Sequence, residues 1–113
     1  MRKVILLGTL LIAGIAAILF YFASQPKFES ITVQDFVALI DSVEVNIVDV
    51  RTTEEHDKGH IPGTKYNIDV NGESFLFQSF MLLTKDIPVA LYCRSGNRSK
   101  TAAKLLAKEG YKV

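Results

Sequence analysis

The sequence contains a single cysteine, Cys93, and no tryptophan among its 113 residues. One cysteine excludes a disulfide within the chain, which leaves either a reactive thiol or a small buried apolar side chain. An excess of one charge sign is also absent, because 13 basic and 12 acidic residues give a formal net charge of +1 at pH 7. Since there is no basic tract either, nucleic acid is not an expected partner. The length allows one domain, and no internal repeat divides it.

The longest run without charge lies close to the N-terminus. Residues 4–23 carry no charged side chain, and they include three consecutive aromatic residues near their end, Phe20 to Phe22. A helix of that length spans about 30 Å, the thickness of the hydrocarbon core of a bilayer, and aromatic residues are common at the membrane interface. We therefore predict an uncleaved signal-anchor or transmembrane helix within residues 1–23. A cleaved signal peptide is the alternative, although an aromatic residue three positions before the cut disfavours it.

The charges beside this run predict its orientation. Arg2 and Lys3 precede it, and basic flanks tend to stay in the cytoplasm. The rest of the chain is then expected outside the cytoplasm, in the periplasm or at the cell surface, with residues 4–23 in the membrane. A linker is predicted at residues 24–29, followed by one domain at residues 30–113.

Hydrophobic patterns in this domain predict alternating helices and strands. Thr32 and Thr52 each stand three residues before an acidic residue, which is the spacing of a capping box at the start of a helix. Runs rich in β-branched and aromatic residues predict strands at 45–50, 66–68, 87–92 and 111–113, and further helices are predicted at 73–83 and 97–109. The alternation is typical of the α/β class, with a mostly parallel central sheet flanked by helices and preceded by the membrane helix. Phe75, Phe77 and Phe80 are expected in the core.

One loop combines the features of a nucleophile with those of an anion-binding site. Cys93 stands between a predicted strand and a predicted helix, where ligands bind in open parallel sheets. The unpaired N–H groups and the dipole of the helix N-terminus should lower the pKa of its thiol. We predict Cys93 as the nucleophile, and the residues that follow it as the binding loop: Arg94, Ser95, Gly96, Asn97, Arg98 and Ser99. The alternative, a small apolar residue that ends a strand, is disfavoured by the polar sequence after it.

Two further groups of polar residues are candidates for a role in this site. Asp49 and Arg51 end the neighbouring predicted strand and are candidates for supporting residues, although a structural ion pair that fixes the following loop is the favoured interpretation. His56 and His60 have the helical spacing of four that suits a shared metal, but Gly59 interrupts the helix and no third ligand is evident. No metal and no cofactor are therefore predicted.

These segments resemble the rhodanese family. The loop CRSGNRS at residues 93–99 resembles the active-site segment of that family. The stretch from Asp49 to Gly63, with DVR at its start and GHIPG at its end, is similar to the DVR…GHIPGA stretch of the family. The two segments occur in the family's order, and the resemblance extends over residues 30–113.

The resemblance implies a rhodanese-like fold and a thiosulfate-type sulfurtransferase. Cys93 would take sulfur from a small donor such as thiosulfate, and the loop would hold the resulting persulfide while Arg94 and Arg98 tune charge and donor binding. A thiol, cyanide or a protein acceptor would then remove the sulfur. Rhodanese domains continue beyond the last predicted strand with a further helix, so a C-terminal segment is expected to be missing here.

Two other functions remain open as alternatives. One is a membrane-tethered sulfur-carrier or binding module with little turnover of its own. The other is a cysteine phosphatase, whose loop has the spacing C-x5-R. Arg98 stands five positions after Cys93, which is the spacing C-x4-R, so the phosphatase is the less favoured of the two.

Overall fold

Helices and strands alternate along the described part of the chain, which comprises residues 11–21, 27–42 and 44–113 of a computed structural model. Residues 11–21 are helical. The later helices are α1 (Val33–Ser42), α2 (Thr53–Lys58), α3 (Phe75–Leu82) and α4 (Asn97–Lys108), and the strands are β1 (Asn46–Asp49), β2 (Tyr66–Asn67) and β3 (Val89–Tyr92). Each lies within or close to a predicted range, so the predicted alternation is confirmed.

The strands form one parallel sheet with β1 in its centre. The order is β2-β1-β3, and both neighbours run parallel to β1, with Val48 opposite Tyr66 on one side and Asp49 opposite Tyr92 on the other. The predicted α/β class with a parallel sheet is therefore confirmed. Because all three strands run the same way, their carboxyl ends meet at one edge of the sheet.

Both faces of β1 are covered by apolar side chains. Val48 packs in a cluster with Ile68 and Leu106 on one face, and Ile47 packs with Phe36 of α1 on the other. Successive side chains of a strand point to opposite faces, so a strand covered on both sides consists of consecutive buried residues. All four residues of β1 are buried, which explains the unbroken β-branched run in the sequence.

Two helices begin at the predicted capping residues. The backbone N–H of Glu55 donates to Oγ1 of Thr52 over 3.2 Å, and the N–H of Asp35 donates to Oγ1 of Thr32 over the same distance. Each contact satisfies one of the N–H groups that a helix N-terminus leaves unpaired. The first contact is important for the site, because it fixes the start of α2 beside the end of β1.

The predicted strand at residues 111–113 is not formed. The backbone N–H of Val89 donates to the carbonyl of Lys112 over 2.8 Å, and the N–H of Glu29 donates to the carbonyl of Val113 over 3.4 Å. The segment therefore runs along the free edge of β3, but these bonds do not make the repeated ladder that defines a strand.

The expected burial of the phenylalanine cluster is wrong for two of its members. Phe75 is buried, with 4% of its surface exposed, whereas Phe77 and Phe80 are 66% and 50% exposed. Most residues of helix α3 are apolar, and its buried members are Phe75 and Ser79. Leu76 packs partly against the core, and the ring of Phe80 stacks on that of the buried Tyr111. Composition alone predicts that such a helix is buried, but it does not predict which face.

The predicted membrane anchor and the extracytoplasmic location are contradicted. Within the described residues, no helix has the length and the apolar character that are needed to cross a bilayer. The helical residues 11–21 rise about 16 Å at about 1.5 Å per residue, which is roughly half of the hydrocarbon core. The other parts of the predicted span, residues 4–10 and 22–23, lie outside the described residues.

Candidate active site

Cys93 lies at the carboxyl edge of the sheet, as the sequence predicted. It follows the last residue of β3 and stands four positions before the start of α4. Its side chain is half-buried. Since Tyr92 is paired with Asp49 in the register of β3 and β1, the segment after Cys93 and the segment after Asp49 leave the sheet side by side.

The sulfur of Cys93 accepts hydrogen bonds from two backbone N–H groups of the following loop. The N–H of Gly96 lies 3.1 Å from Sγ, and the N–H of Ser99 lies 3.3 Å from it. In the thiol form, Sγ also donates to Oγ of Ser99 over 3.5 Å. An anion on this sulfur would be stabilised by the same donors without any rearrangement of the backbone.

These contacts lower the pKa of the Cys93 thiol. Burial raises the pKa, but the hydrogen bonds from the side chain of Ser99 and from the backbone of Ser99, Gly96 and Arg98 outweigh it, so the pKa lies below its ordinary value. A hydrogen bond that favours the charged form acts in this direction. The thiolate is the nucleophilic form of cysteine, so the loop favours the reactive state.

Gly96 gives the loop its shape. Its φ is +92°, in the left-handed region, where a side chain would be strained. It is the residue directly before α4, and its carbonyl accepts the N–H of Lys100 over 3.0 Å, which closes the first turn of the helix. The remaining members of the predicted loop, Arg94, Ser95 and Asn97, are exposed. Among the described contacts of Cys93, none comes from these three residues.

Arg98 does not extend towards solvent, because Glu55 of α2 binds it. Two parallel hydrogen bonds join its guanidinium to the carboxylate, at 2.6 and 2.9 Å. The hydrogen bonds from Arg98 hold the pKa of Glu55 at about 2, below its ordinary value of 4.5 and against a smaller effect of burial. This pair was not predicted from the sequence. The capping signal marked Glu55 as a residue of a helix start, and no local pattern connects it with a residue 43 positions later.

Asp49 and Arg51 form the predicted ion pair. Asp49 is completely buried, and Nε and Nη2 of Arg51 donate to its two carboxylate oxygens over 2.9 and 2.7 Å. Burial raises the pKa of Asp49, but hydrogen bonds from Arg51 and His56 lower it by more, so the pKa lies below its ordinary value. Arg51 also donates to the carbonyl of Gly59 over 2.7 Å. The pair therefore joins β1 to the loop that follows α2.

The two histidines are arranged as a stack beside this pair. Their rings are parallel, with centroids 3.9 Å apart. Nδ1 of His56 lies 3.0 Å from Oδ2 of Asp49, and Nδ1 of His60 lies 2.9 Å from the carbonyl of His56. Carboxylate and carbonyl oxygens only accept, so each Nδ1 carries a proton in these contacts. In the described part of the chain, no group of three His, Cys, Asp or Glu side chains is placed to hold a metal ion.

Cys93 opens onto a shallow cleft of ≈ 430 Å³. The other residues that line this cleft are Arg51, Gly59, His60, Ile61, Pro62 and Tyr92. The hydroxyl of Tyr92 fixes one wall, because it accepts the N–H of Ile61 over 3.1 Å. The cleft thus brings the two predicted segments together around one sulfur. A larger cavity of ≈ 560 Å³ is lined in part by Ser95, Gly96 and Ser99 of the loop, and Cys93 is not among its lining residues.

The Rhodanese-like domain family matches residues 32–113. The chain belongs to this family. The match includes every helix and strand after residue 31 and both segments that form the cleft. The expectation of a missing C-terminal segment finds no support in the comparisons with known proteins.

Relatives of the rhodanese-like chain include a sulfurtransferase and a candidate sulfur carrier. It is 29% identical over 84 residues to the thiosulfate sulfurtransferase GlpE of Pseudoalteromonas translucida (strain TAC 125), which covers 74% of this chain and 76% of GlpE. It is 35% identical over 83 residues to YrkF of Bacillus subtilis (strain 168), whose name designates a candidate sulfur carrier protein. That alignment covers 73% of this chain but only 43% of YrkF, so the chain spans less than half of this relative.

The fold of the rhodanese-like chain is also found in solved structures. A crystal structure of a rhodanese-related protein from Thermoplasma volcanium is 29% identical and superimposes with a TM-score of 0.63. The superposition covers 75% of this chain and 79% of that one. The arrangement of α/β elements around Cys93 is therefore shared with a member of the same family.

Proposed function

We propose that this rhodanese-like chain is a sulfurtransferase that carries sulfane sulfur on Cys93. The observation that carries the proposal is the pair of backbone N–H groups, from Gly96 and Ser99, that donate to Sγ at 3.1 and 3.3 Å. They lie at the junction of a strand and a helix N-terminus, where negative charge is favoured. The likeness to a protein named thiosulfate sulfurtransferase supports the same function.

The chemistry consists of two displacements at sulfur. In the first, the Cys93 thiolate attacks the outer sulfur of thiosulfate, a new S–S bond forms, and the old S–S bond breaks with its electron pair leaving on sulfite. In the second, a thiol or cyanide attacks the outer sulfur of the Cys93 persulfide, and the thiolate is regenerated as the leaving group. This is covalent catalysis in two steps, for which ping-pong kinetics are expected.

The other residues of the cleft have supporting roles in this proposal. The loop amides hold the negative charge of the thiolate or the persulfide. The ion pair of Asp49 and Arg51 fixes the wall opposite Cys93, and Arg94 is exposed where an approaching anion would meet it. A small-molecule donor and a thiol acceptor, either small or on a protein, are the partners that this arrangement suits.

A sulfur carrier with little turnover of its own is the second candidate. The likeness to YrkF favours it, because that protein is named for carrying sulfur. A carrier needs the same persulfide on Cys93 but depends on a partner to load or unload it. A phosphatase is disfavoured, because Arg98 is engaged by Glu55 at 2.6 and 2.9 Å and follows Cys93 at the C-x4-R spacing.

Mass spectrometry of the intact protein tests the proposal directly. The chain is incubated with thiosulfate, measured, and then treated with cyanide. We expect the mass to increase by one sulfur atom and then to return to its first value, and Cys93→Ser to give no increase. Repeated turnover with both reagents present identifies the enzyme, whereas loading without turnover identifies the carrier. A folded protein that acquires no sulfur from thiosulfate or from an organic persulfide would overturn both.

A further inference from the structure

Two arginines of the site, Arg51 and Arg98, are each bound to a carboxylate. Arg51 lines the cleft and is paired with the buried Asp49 at 2.7 Å. Arg98 belongs to the binding loop itself and is paired with Glu55 at 2.6 Å. Arg94, the remaining arginine of the loop, is exposed, and solvent and salt screen such a charge strongly. The groups that hydrogen-bond to the sulfur are neutral: the backbone N–H groups of Gly96 and Ser99 and the hydroxyl of Ser99.

Of the two paired arginines, Arg98 is the more exposed, at 26% against 16% for Arg51. Removal of its partner Glu55 therefore leaves the less buried unpaired charge. Arg98 is linked to the sulfur through its backbone, whose hydrogen bond contributes to lowering the pKa of Cys93. The pKa of Arg98 is raised first by the hydrogen bonds to Glu55, which outweigh an opposing effect of burial, and further by the charges of Glu55, Cys93 and Asp69.

Glu55 is held in place independently of Arg98. Its backbone N–H donates to Oγ1 of Thr52 over 3.2 Å, and the hydroxyl of Thr52 donates to Oε1 of Glu55, also over 3.2 Å. This reciprocal cap fixes the carboxylate at the first turn of α2. The carboxylate therefore faces Arg98 because of the cap and not only because the two charges attract each other.

We propose that Glu55 is a specificity-determining residue. Its carboxylate cancels the charge of Arg98 beside Cys93, so the site has a weaker preference for strongly anionic sulfur donors. The proposal rests on the proposed function only for the identity of the donor. Thiosulfate carries two negative charges, and the paired Arg98 attracts it weakly. An organic persulfide carries at most one negative charge on its sulfur, and Ile61, Pro62 and Tyr92 offer apolar surface for its carbon atoms.

Alkylation of Cys93 measures this effect without any assumption about function. Cys93 is the only cysteine of the chain, so iodoacetate and iodoacetamide report on one thiolate. In both reactions a C–S bond forms and iodide leaves, but only iodoacetate is an anion. The ratio of the two rates cancels changes in the thiol pKa and therefore reports the local potential.

We expect Glu55→Gln to raise the iodoacetate to iodoacetamide ratio about two- to five-fold at low salt, and less at high salt, because one unpaired cation near the sulfur attracts an anion to that extent. Glutamine is isosteric, and its amide oxygen still accepts from Thr52. The matched control is Glu54→Gln, which removes the same charge from the neighbouring exposed position of α2 and should leave the ratio unchanged. Equal ratios in the two variants would overturn the proposal.

If Glu55→Gln folds poorly, Arg98→Gln provides an independent measurement of the same ratio of alkylation rates. It leaves the Glu55 carboxylate unpaired, so the ratio should fall below that of the unmodified chain, and an unchanged ratio contradicts the proposal.

Kinetics with thiosulfate then test the preference for the donor: Glu55→Gln should lower KM for thiosulfate with little change in kcat. A chain that never forms a persulfide but shows the expected alkylation ratios would remove the proposed function and leave the role of Glu55 intact.

Discussion

Gly96 donates its backbone N–H to Sγ of Cys93 over 3.1 Å from a φ of +92°. One residue therefore supplies both the turn into α4 and a donor to the sulfur. A position in the left-handed region favours glycine because other L-residues are strained there. The geometry of the loop and the acidity of the thiol are for this reason coupled at a single residue.

Gly96→Ala should change both properties. We expect the free energy of unfolding to fall by about 1 kcal/mol, since the left-handed region strains alanine by about 1–2 kcal/mol. The strain comes from φ, because a Cβ at this position has no atom within 4 Å. Any relaxation of φ moves the N–H away from Sγ and raises the pKa of Cys93, which is measured from the pH dependence of iodoacetamide alkylation.

Gly110→Ala is the matched control for that prediction. Its φ is +93°, and its Cβ would make ordinary contacts with the side chain of Lys85 at 3.8–3.9 Å. In urea unfolding, Gly110→Ala should lose a similar amount of unfolding free energy. The pH dependence of its Cys93 alkylation should be unchanged. If both variants alkylate like the unmodified chain, the N–H of Gly96 does not contribute to the thiol pKa.

The site was predictable where its cause is local in the sequence. The capping spacing of Thr52 and Glu55 determines where α2 begins, and a cysteine followed by a glycine-containing polar loop ahead of a helix determines where the sulfur lies. The partner of Arg98 was not predictable, because Glu55 meets it only through the parallel packing of β1 and β3. Contacts of this kind depend on the strand order, which the hydrophobic patterns alone do not specify.

Ser99→Ala tests the hydroxyl contact to the sulfur. In the thiolate, the Ser99 hydroxyl can turn and donate to Sγ, from which Oγ lies 3.5 Å away. Its hydrogen bond is the largest of the effects that lower the pKa of Cys93. The variant should therefore have a higher thiol pKa, so the midpoint of its alkylation profile moves to higher pH and its rate at lower pH falls.

The control for this change is another serine of the same loop. Ser95→Ala removes an exposed hydroxyl that makes no described contact with Sγ, and its alkylation profile should coincide with that of the unmodified chain. A Ser99→Ala midpoint at unchanged or lower pH would show that the hydroxyl does not stabilise the thiolate.

Acid stability should depend on the Glu55–Arg98 pair. The pKa of Glu55 is about 2 in the folded chain, against an ordinary value of 4.5. Between these values the unfolded chain binds more protons, so the stability from the pair is present above pH 4.5 and is lost as the pH falls towards 2. Glu55→Gln should show a smaller loss of unfolding free energy over this window, as measured by urea unfolding at successive pH values.

A partial slope should remain in Glu55→Gln, because Asp49 also titrates below its ordinary range in the folded chain. Glu54→Gln, which leaves Arg98 paired, serves as the control. If the two variants lose stability in parallel as the pH falls, the ion pair at the loop contributes nothing to acid stability.

The two faces of α3 should respond differently to truncation, which tests the correction to the predicted core. Phe75 is 4% exposed and packs in the cluster that contains Val48, whereas Phe77 is 66% exposed. Phe75→Ala should lower the free energy of unfolding by about 3–5 kcal/mol, through lost burial and the cavity that remains. Phe77→Ala should change it by no more than about 0.5 kcal/mol, as is usual for exposed positions. Urea unfolding of the two variants makes the comparison, and a larger loss for Phe77→Ala would mean that the opposite face of α3 contacts the core.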